Sequence, residues 1–148
     1  MAIGGRGVLI EGPPGSGKSS LALALIDRGA VLIGDDGVLL ERDGERVLAS
    51  PAPAIAGQLE VRNVGLLPFP THSCIPVALL IGLDPAAPRF RDLPSWHERG
   101  GVRVPAISLW PDSPILALRA ELALQTYGLT WPAPIRSNPG HGPTPPFP

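Results

Sequence analysis

Hydrophobic and polar positions fall in blocks along this chain. Gly7-Val8-Leu9-Ile10-Glu11 is a short apolar run ending at Gly12, and such a run predicts a buried strand. Residues 12–17 then read as a loop. Residues 19–28 predict a helix with apolar cover on most sides, closed by Gly29. Residues 30–33 predict a second buried strand, ended by Gly34-Asp35-Asp36. Apolar stretches at 38–40 and 47–49 flank Arg42-Asp43-Gly44-Glu45, and Asp-Gly is a strong hairpin signal. Residues 50–57 carry Pro51 and Pro53 and read as a loop. Residues 59–64 predict a strand, with Leu59 and Val61 alternating against Glu60 and Arg62. Residues 76–83 form an apolar strand. Residues 84–101, with three prolines and Gly100-Gly101, read as one long polar loop of the kind that often carries function. Residues 102–109 are extended, and Pro105 places them near a sheet edge. Residues 115–127 predict a second helix, opened by Asp112-Ser113-Pro114 and stopped by Gly128.

At 148 residues the chain suits one domain. Buried strands alternating with helices give an α/β class with a phosphate-loop helix and a C-terminal helix. The domain spans 1–130. The remainder, 131–148, holds seven of the 20 prolines and has no periodicity, so a Pro/Gly-rich tail without ordered structure is expected. The net charge of -1 argues against a dedicated nucleic-acid partner. No run approaches the ~18 apolar residues of a membrane span and no charged leader precedes an apolar core, so no membrane partner is expected and the default location is cytoplasmic. Cys74 stands alone, which excludes an intramolecular disulfide, and His72, His97 and His141 lack metal-ligand spacing.

The chemistry concentrates in Gly12-Pro13-Pro14-Gly15-Ser16-Gly17-Lys18-Ser19, which fits G-x-x-x-x-G-K-[ST] between a strand and a helix. Residues 12–20 would hold a nucleotide's phosphates: backbone N–H groups and the helix N-terminus around the β-phosphate, Lys18 on the β- and γ-phosphates, the Ser19 hydroxyl on Mg²⁺, and Ser20 closing the loop. The chain has 11 arginines and one lysine, and that lysine is Lys18. A compact ammonium inside the loop is not replaced by a broad guanidinium fork. Asp35 and Asp36 read either as an acidic pair serving the phosphate loop or as a solvated turn. Glu60 and Arg62 share a face, and a functional pair and a surface ion pair both fit that pattern.

These residues resemble the catalytic domain of HPr kinase/phosphorylase, in its compact alphaproteobacterial form. The likeness runs through Gly7-Val8-Leu9-Ile10, the phosphate loop, Asp27-Arg28-Gly29-Ala30, Leu32-Ile33-Gly34-Asp35-Asp36 and Leu59-Glu60-Val61-Arg62. It covers residues 6–67 well and 77–124 more thinly. The resemblance implies a phosphate-loop kinase core related to phosphoenolpyruvate carboxykinase, with a mixed sheet. It implies ATP at Lys18 and the loop, and Mg²⁺ on Ser19 and Glu60. Asp36 would take the proton from a serine hydroxyl and return it in the reverse, phosphorylase direction, with Asp35 and Arg62 in the catalytic set. The family's later arginine falls nearest Arg91. The implied partner is an HPr-like phosphocarrier protein of the phosphotransferase system that regulates carbon or nitrogen metabolism, and the implied assembly is a homo-hexamer. Pro14, Ser20 and Asn63 stand where the family has Ser, an acidic residue and Gly. The family's catalytic His would fall just before Met1, which predicts a natural start upstream of this one, and the C-terminal dephosphorylation segment has no match. A small-molecule kinase with a lid of Arg89, Arg91, Arg99 and Arg103, and a nucleotide-sensing module without transfer activity, are the other readings.

Overall fold

A computed structural model describes residues 1–35, 37–53 and 57–131. Asp36, residues 54–56 and the tail from 132 onward lie outside the described residues. The elements are β1 (Ala2–Ile3), β2 (Arg6–Glu11), α1 (Lys18–Asp27), β3 (Val38–Asp43), β4 (Arg46–Pro51), β5 (Gln58–Val61), β6 (Gly65–Pro68), β7 (Ile75–Leu83), β8 (Ser95–Arg99), β9 (Val102–Leu109) and α2 (Leu116–Tyr127). The mixed α/β fold predicted by the sequence is present, with the phosphate-loop strand and helix in place.

The sheet is organised by β7, the most apolar strand. β2 pairs with it in parallel along one side. Its other side is shared: the first residues, Ile75 and Pro76, take β4 antiparallel, and Leu80 to Leu83 take β9 parallel. Between Gly7 and Val8 the register jumps from Val77 to Leu79. The residue passed over, Ala78, turns its carbonyl to the Leu129 N–H at 3.0 Å, which fastens the chain after α2 to the sheet. One face, with Val8, Leu79, Ile81 and Ile107, packs on Leu21 and Leu25 of α1 and Ala120 and Leu124 of α2. Ile33, Val47, Val77, Leu80 and Val104 make a second core on the other face.

Four expectations change. Residues 30–33 are not a strand of the sheet: Leu32 and Ile33 are buried, but the segment is held by single bridges, Ala2 to Val31 and Leu32 to Thr71. An apolar run signals burial and carries no guarantee of a ladder. Residues 59–64 do not continue straight. The chain turns at Asn63, φ +68°, and β5 returns as β6. The long loop 84–101 contains β8, which pairs with β9 across Gly100 and Gly101. Both glycines have positive φ, 59° and 83°, as a two-residue hairpin turn requires. β9 is therefore interior. Pro105 is tolerated because its segment precedes Ala106, where pairing with β7 begins.

Trp131, grouped by sequence with the tail, packs against the core with the Arg46 guanidinium 5.9 Å from its ring centroid. The α2 start is close to expectation: the Ser113 hydroxyl accepts the Ile115 N–H at 3.2 Å and the Ser113 carbonyl accepts that of Leu116.

Candidate active site

β2 ends at Glu11 and hands the chain to the phosphate loop. A Cβ on Gly12 would stand 2.6 Å from Ser16 Oγ, so a side chain there would displace the Ser16 hydroxyl that the loop folds over it. The Ser16 N–H donates to the Pro13 carbonyl at 3.1 Å. Gly17 is the N-cap of α1 with φ 100°, a left-handed conformation that L side chains resist. Lys18 then folds back across the loop, and its Nζ donates to the Gly12 carbonyl at 2.7 Å. The ammonium thus lies across the loop.

Two segments remote in sequence meet this loop. Residues 32–35 come alongside through the Leu32 bridge and the His72 N–H, which donates to the Leu32 carbonyl at 3.0 Å. That places Asp35 so that the Ser19 hydroxyl donates to its Oδ1 at 2.8 Å. The β5–β6 hairpin is anchored by the fully buried Leu59, and the Glu60 N–H donates to the other carboxylate oxygen of Asp35 at 3.3 Å. Asp35 is thus a staple between the phosphate loop and the hairpin. Arg62 reaches over Gly15, its Nη2 3.9 Å from where a Cβ would stand. Pro14, Gly15, Gly17, Lys18, Ser19, Ser20, Glu60 and Arg62 line one cavity of about 240 Å³.

A second cleft of about 380 Å³ lies on the other side of Lys18 and is lined by Glu11, Gly12, Asp35, Gly37 and Arg99 among others. Arg99 forms a fork on Glu11: Nη2 to Oε1 at 2.9 Å and Nε to Oε2 at 3.1 Å. This pair ties the β8–β9 hairpin to the last residue before the phosphate loop. Neither Glu11 nor the pairing is visible in local sequence, although Gly100-Gly101 between two extended runs is a hairpin signal that would have carried Arg99 to this place.

The predicted site residues divide cleanly. Residues 12–20, Asp35, Glu60 and Arg62 come together. Asp36 lies outside the described residues. Arg91 does not join them: its Nη1 donates to Ser95 Oγ at 2.7 Å, its carbonyl accepts the Tyr127 hydroxyl at 2.8 Å, and it lines none of these cavities. The lid of arginines is likewise dispersed. Arg103 stands 5.8 Å over Trp96, Arg89 lines a separate hollow with Trp110 and Arg119, and Arg99 alone of the four lines the cleft beside Lys18.

Among the described residues no group of three or more His, Cys, Asp or Glu forms a metal cage. The donors at the loop are one hydroxyl and two carboxylates, all hard oxygen, beside a cradle for phosphate. That set suits a cation which keeps waters and takes its remaining ligands from substrate phosphates.

Comparison with known proteins follows the same residues. A family model, the HPr Serine kinase C-terminal domain, matches residues 1–72. HPr kinase/phosphorylase of Alkaliphilus metalliredigens is 48% identical over 68 residues, covering 45% of this chain and 22% of that protein. HPr kinase/phosphorylase of Streptococcus uberis is 34% identical over 122 residues, covering 74% of this chain and 39% of that protein. The chain thus spans well under half the length of these curated relatives. The solved structure of the Hpr(Ser) kinase/phosphatase from Coxiella burnetii superposes with a TM-score of 0.71 at 30% identity, covering 81% of each chain.

Proposed function

The chain belongs to the HPr serine kinase family, and on that premise we propose that it binds ATP at residues 12–20 and transfers the γ-phosphoryl group to a serine hydroxyl of an HPr-like phosphocarrier protein. The observation that carries this reading is the meeting of Ser19, Asp35 and the Glu60 segment at one side of the phosphate loop, with Lys18 between them and Glu11–Arg99.

The described residues have parts that their positions support, and Asp36 has one that the family resemblance implies. Backbone N–H groups of the loop and the Lys18 ammonium hold the β- and γ-phosphates. Ser19, Asp35 and Glu60 would hold Mg²⁺, which when bound neutralises charge on those phosphates. Arg62, over Gly15, offers a second cation to the transferring group. Asp36, the neighbour of Asp35 in sequence, is assigned the proton of the acceptor serine. In the transfer the bond from the γ-phosphorus to the oxygen bridging it to the β-phosphate breaks, a bond to the serine oxygen forms, and the hydroxyl proton passes to Asp36. In the phosphorylase direction an oxygen of inorganic phosphate would attack the phosphorus of phosphoserine, forming pyrophosphate as the bond to the serine oxygen breaks, and Asp36 would return the proton to that oxygen. Residues 1–130 form the catalytic domain, to which Trp131 adds a packing contact, and 131–148 is its tail. The working assembly is a cytoplasmic homo-hexamer. No described helix is long and apolar enough to cross a membrane.

The test uses labelled ATP with an HPr-like protein, sugars and nucleosides as competing acceptors. Label should appear on serine of the protein. Lys18→Ala removes a charge aimed at the transferring group, a loss of roughly 3–4 kcal/mol, or 10²-fold or more in turnover. Near-normal turnover in that variant, or transfer to a sugar or nucleoside instead, overturns the proposal.

A further inference from the structure

Two of the arginines that stay away from the phosphate loop face each other across a hollow of their own. It lies past the carboxyl ends of β7 and β9, has a volume of about 300 Å³, and is lined by Pro88, Arg89, Trp110 and Arg119 among others. It shares no lining residue with the cavity of Glu60 and Arg62 or with the cleft of Glu11 and Arg99. We infer that this hollow binds a small ligand built of a flat ring that carries a carboxylate, at a site separate from the phosphate loop.

Three observations converge. The first is that the walls are fastened. The Asp84 N–H donates to the Leu109 carbonyl at 3.0 Å, and the Ala87 N–H to the Asp84 carbonyl at 3.1 Å. The Asp84 carboxylate is taken up by the Ala86 N–H at 2.8 Å, and the Trp110 indole N–H donates to the Ala87 carbonyl. Ala87 is buried between exposed neighbours. The turn after β7 and the residue after β9 are therefore one tied unit, and walls already in place lower the cost of binding. The second is charge. The Arg119 guanidinium stands 5.7 Å over the Trp110 ring. Neither Arg89 nor Arg119 forms an ion pair with a described residue, whereas Arg28, Arg46 and Arg99 each do. The lining thus holds two guanidiniums and no carboxylate. The third is shape. A guanidinium is a planar fork that takes the two oxygens of a carboxylate together. The Trp110 indole, 39% exposed, and the Pro88 ring add flat apolar faces on which a ring can lie. Phosphate sites draw on helix N-terminal N–H groups or a lysine ammonium, and this lining has no lysine and no residue before the fourth of α2. The volume is at the lower end of the ~300–1,000 Å³ range of small-molecule sites, which suits one or two rings.

The Trp110 indole N–H is a reporter built into the wall, and its NMR signal in the nitrogen-labelled full chain is identified by its loss in Trp110→Phe. The probes are benzoate, its neutral counterpart benzamide, and phenyl phosphate. Benzoate should shift the signal with a Kd of about 1 mM or below, and benzamide should bind about tenfold more weakly or not at all. Arg89→Gln and Arg119→Gln should each weaken benzoate by roughly tenfold, as the loss of a charge-assisted hydrogen bond requires. Arg119→Lys, which keeps the charge and loses the fork, should recover only part of that loss. Lys18→Ala should leave benzoate binding within about twofold of the parent, because the hollow and the phosphate loop share no residue. Absence of a shift at ~10 mM benzoate overturns the inference, and so do equal affinities for benzoate and benzamide or full affinity in both glutamine variants. Tighter binding of phenyl phosphate than of benzoate overturns the carboxylate class. Loss of the shift in Lys18→Ala places the probe at the phosphate loop and overturns the separate site, while leaving the nucleotide reading untouched.

Discussion

Replacing Asp35 by alanine removes two hydrogen bonds at once. The bond from Ser19 Oγ is 2.8 Å long and ends on a carboxylate, a class worth ~1.5–3 kcal/mol, and the partial exposure of the site puts it at the low end. The bond from the Glu60 N–H, at 3.3 Å, lies just beyond the usual range and adds roughly 0.5 kcal/mol. Asp35→Ala should therefore cost about 2 kcal/mol in the absence of nucleotide, a fall in Tm of roughly 6–10 °C for a domain of this size. Asp35→Asn keeps a single oxygen acceptor for two donors and should lose about half as much. The assay is urea unfolding of Ser19→Ala, Asp35→Ala and the double variant, without ATP or Mg²⁺. Because the first bond needs both partners, the double variant should be little worse than Asp35→Ala, with a coupling of about 1–1.5 kcal/mol. Fully additive losses, with coupling below ~0.3 kcal/mol, would refute the staple and leave Asp35 and Ser19 as neighbours that do not act on each other.

Three further outcomes can be measured. Gly128 has ordinary extended dihedrals, but a Cβ there would stand 2.5 Å from the Leu124 carbonyl oxygen and 3.1 Å from Arg6 Nη1, so Gly128→Ala and Gly128→Asn should both cost ~1–3 kcal/mol in urea unfolding. At Gly29, with φ +101° and open space, alanine should cost ~1 kcal/mol and asparagine less. Arg99→Ala should cost only ~0.5–1 kcal/mol, because its side chain is 33% exposed and that of Glu11 43%, and the loss should shrink further in 1 M salt.

What could be read from the sequence was local. The phosphate loop, the helix after it and the Asp-Gly hairpin are each specified by residues within ten positions of one another, and each stands where the pattern puts it. Pairing at long range was not legible. The Ser95–Arg99 strand has three exposed residues out of five and follows three prolines, so it shows neither an apolar run nor clean alternation. Pro105 correctly reported a missing donor, but the inference of an edge overlooked that one strand can change partners along its length, as β9 does at Ala106. Spacing brought an acidic pair towards the phosphate loop without saying which carboxylate would take Ser19. The Glu11–Arg99 pair joins residues 88 positions apart, a distance at which no periodicity operates.

The parallel pairing of β2 with β7 also governs when the molecule can become itself. Residues 7–11 find their parallel ladder on residues 77–82 and only a short antiparallel contact with β1, so a chain of about seventy residues must be closed before the strand leading to the phosphate loop is set in the sheet. The stretch most like known proteins, 1–72, ends before β7 and cannot fold as a unit, since Val8 has no Leu79 or Ile81 to meet. On the ribosome the loop must stay unformed until β7 has emerged. A ligand of the loop would therefore stabilise only the finished domain, and the high sequence separation of its defining contact slows folding.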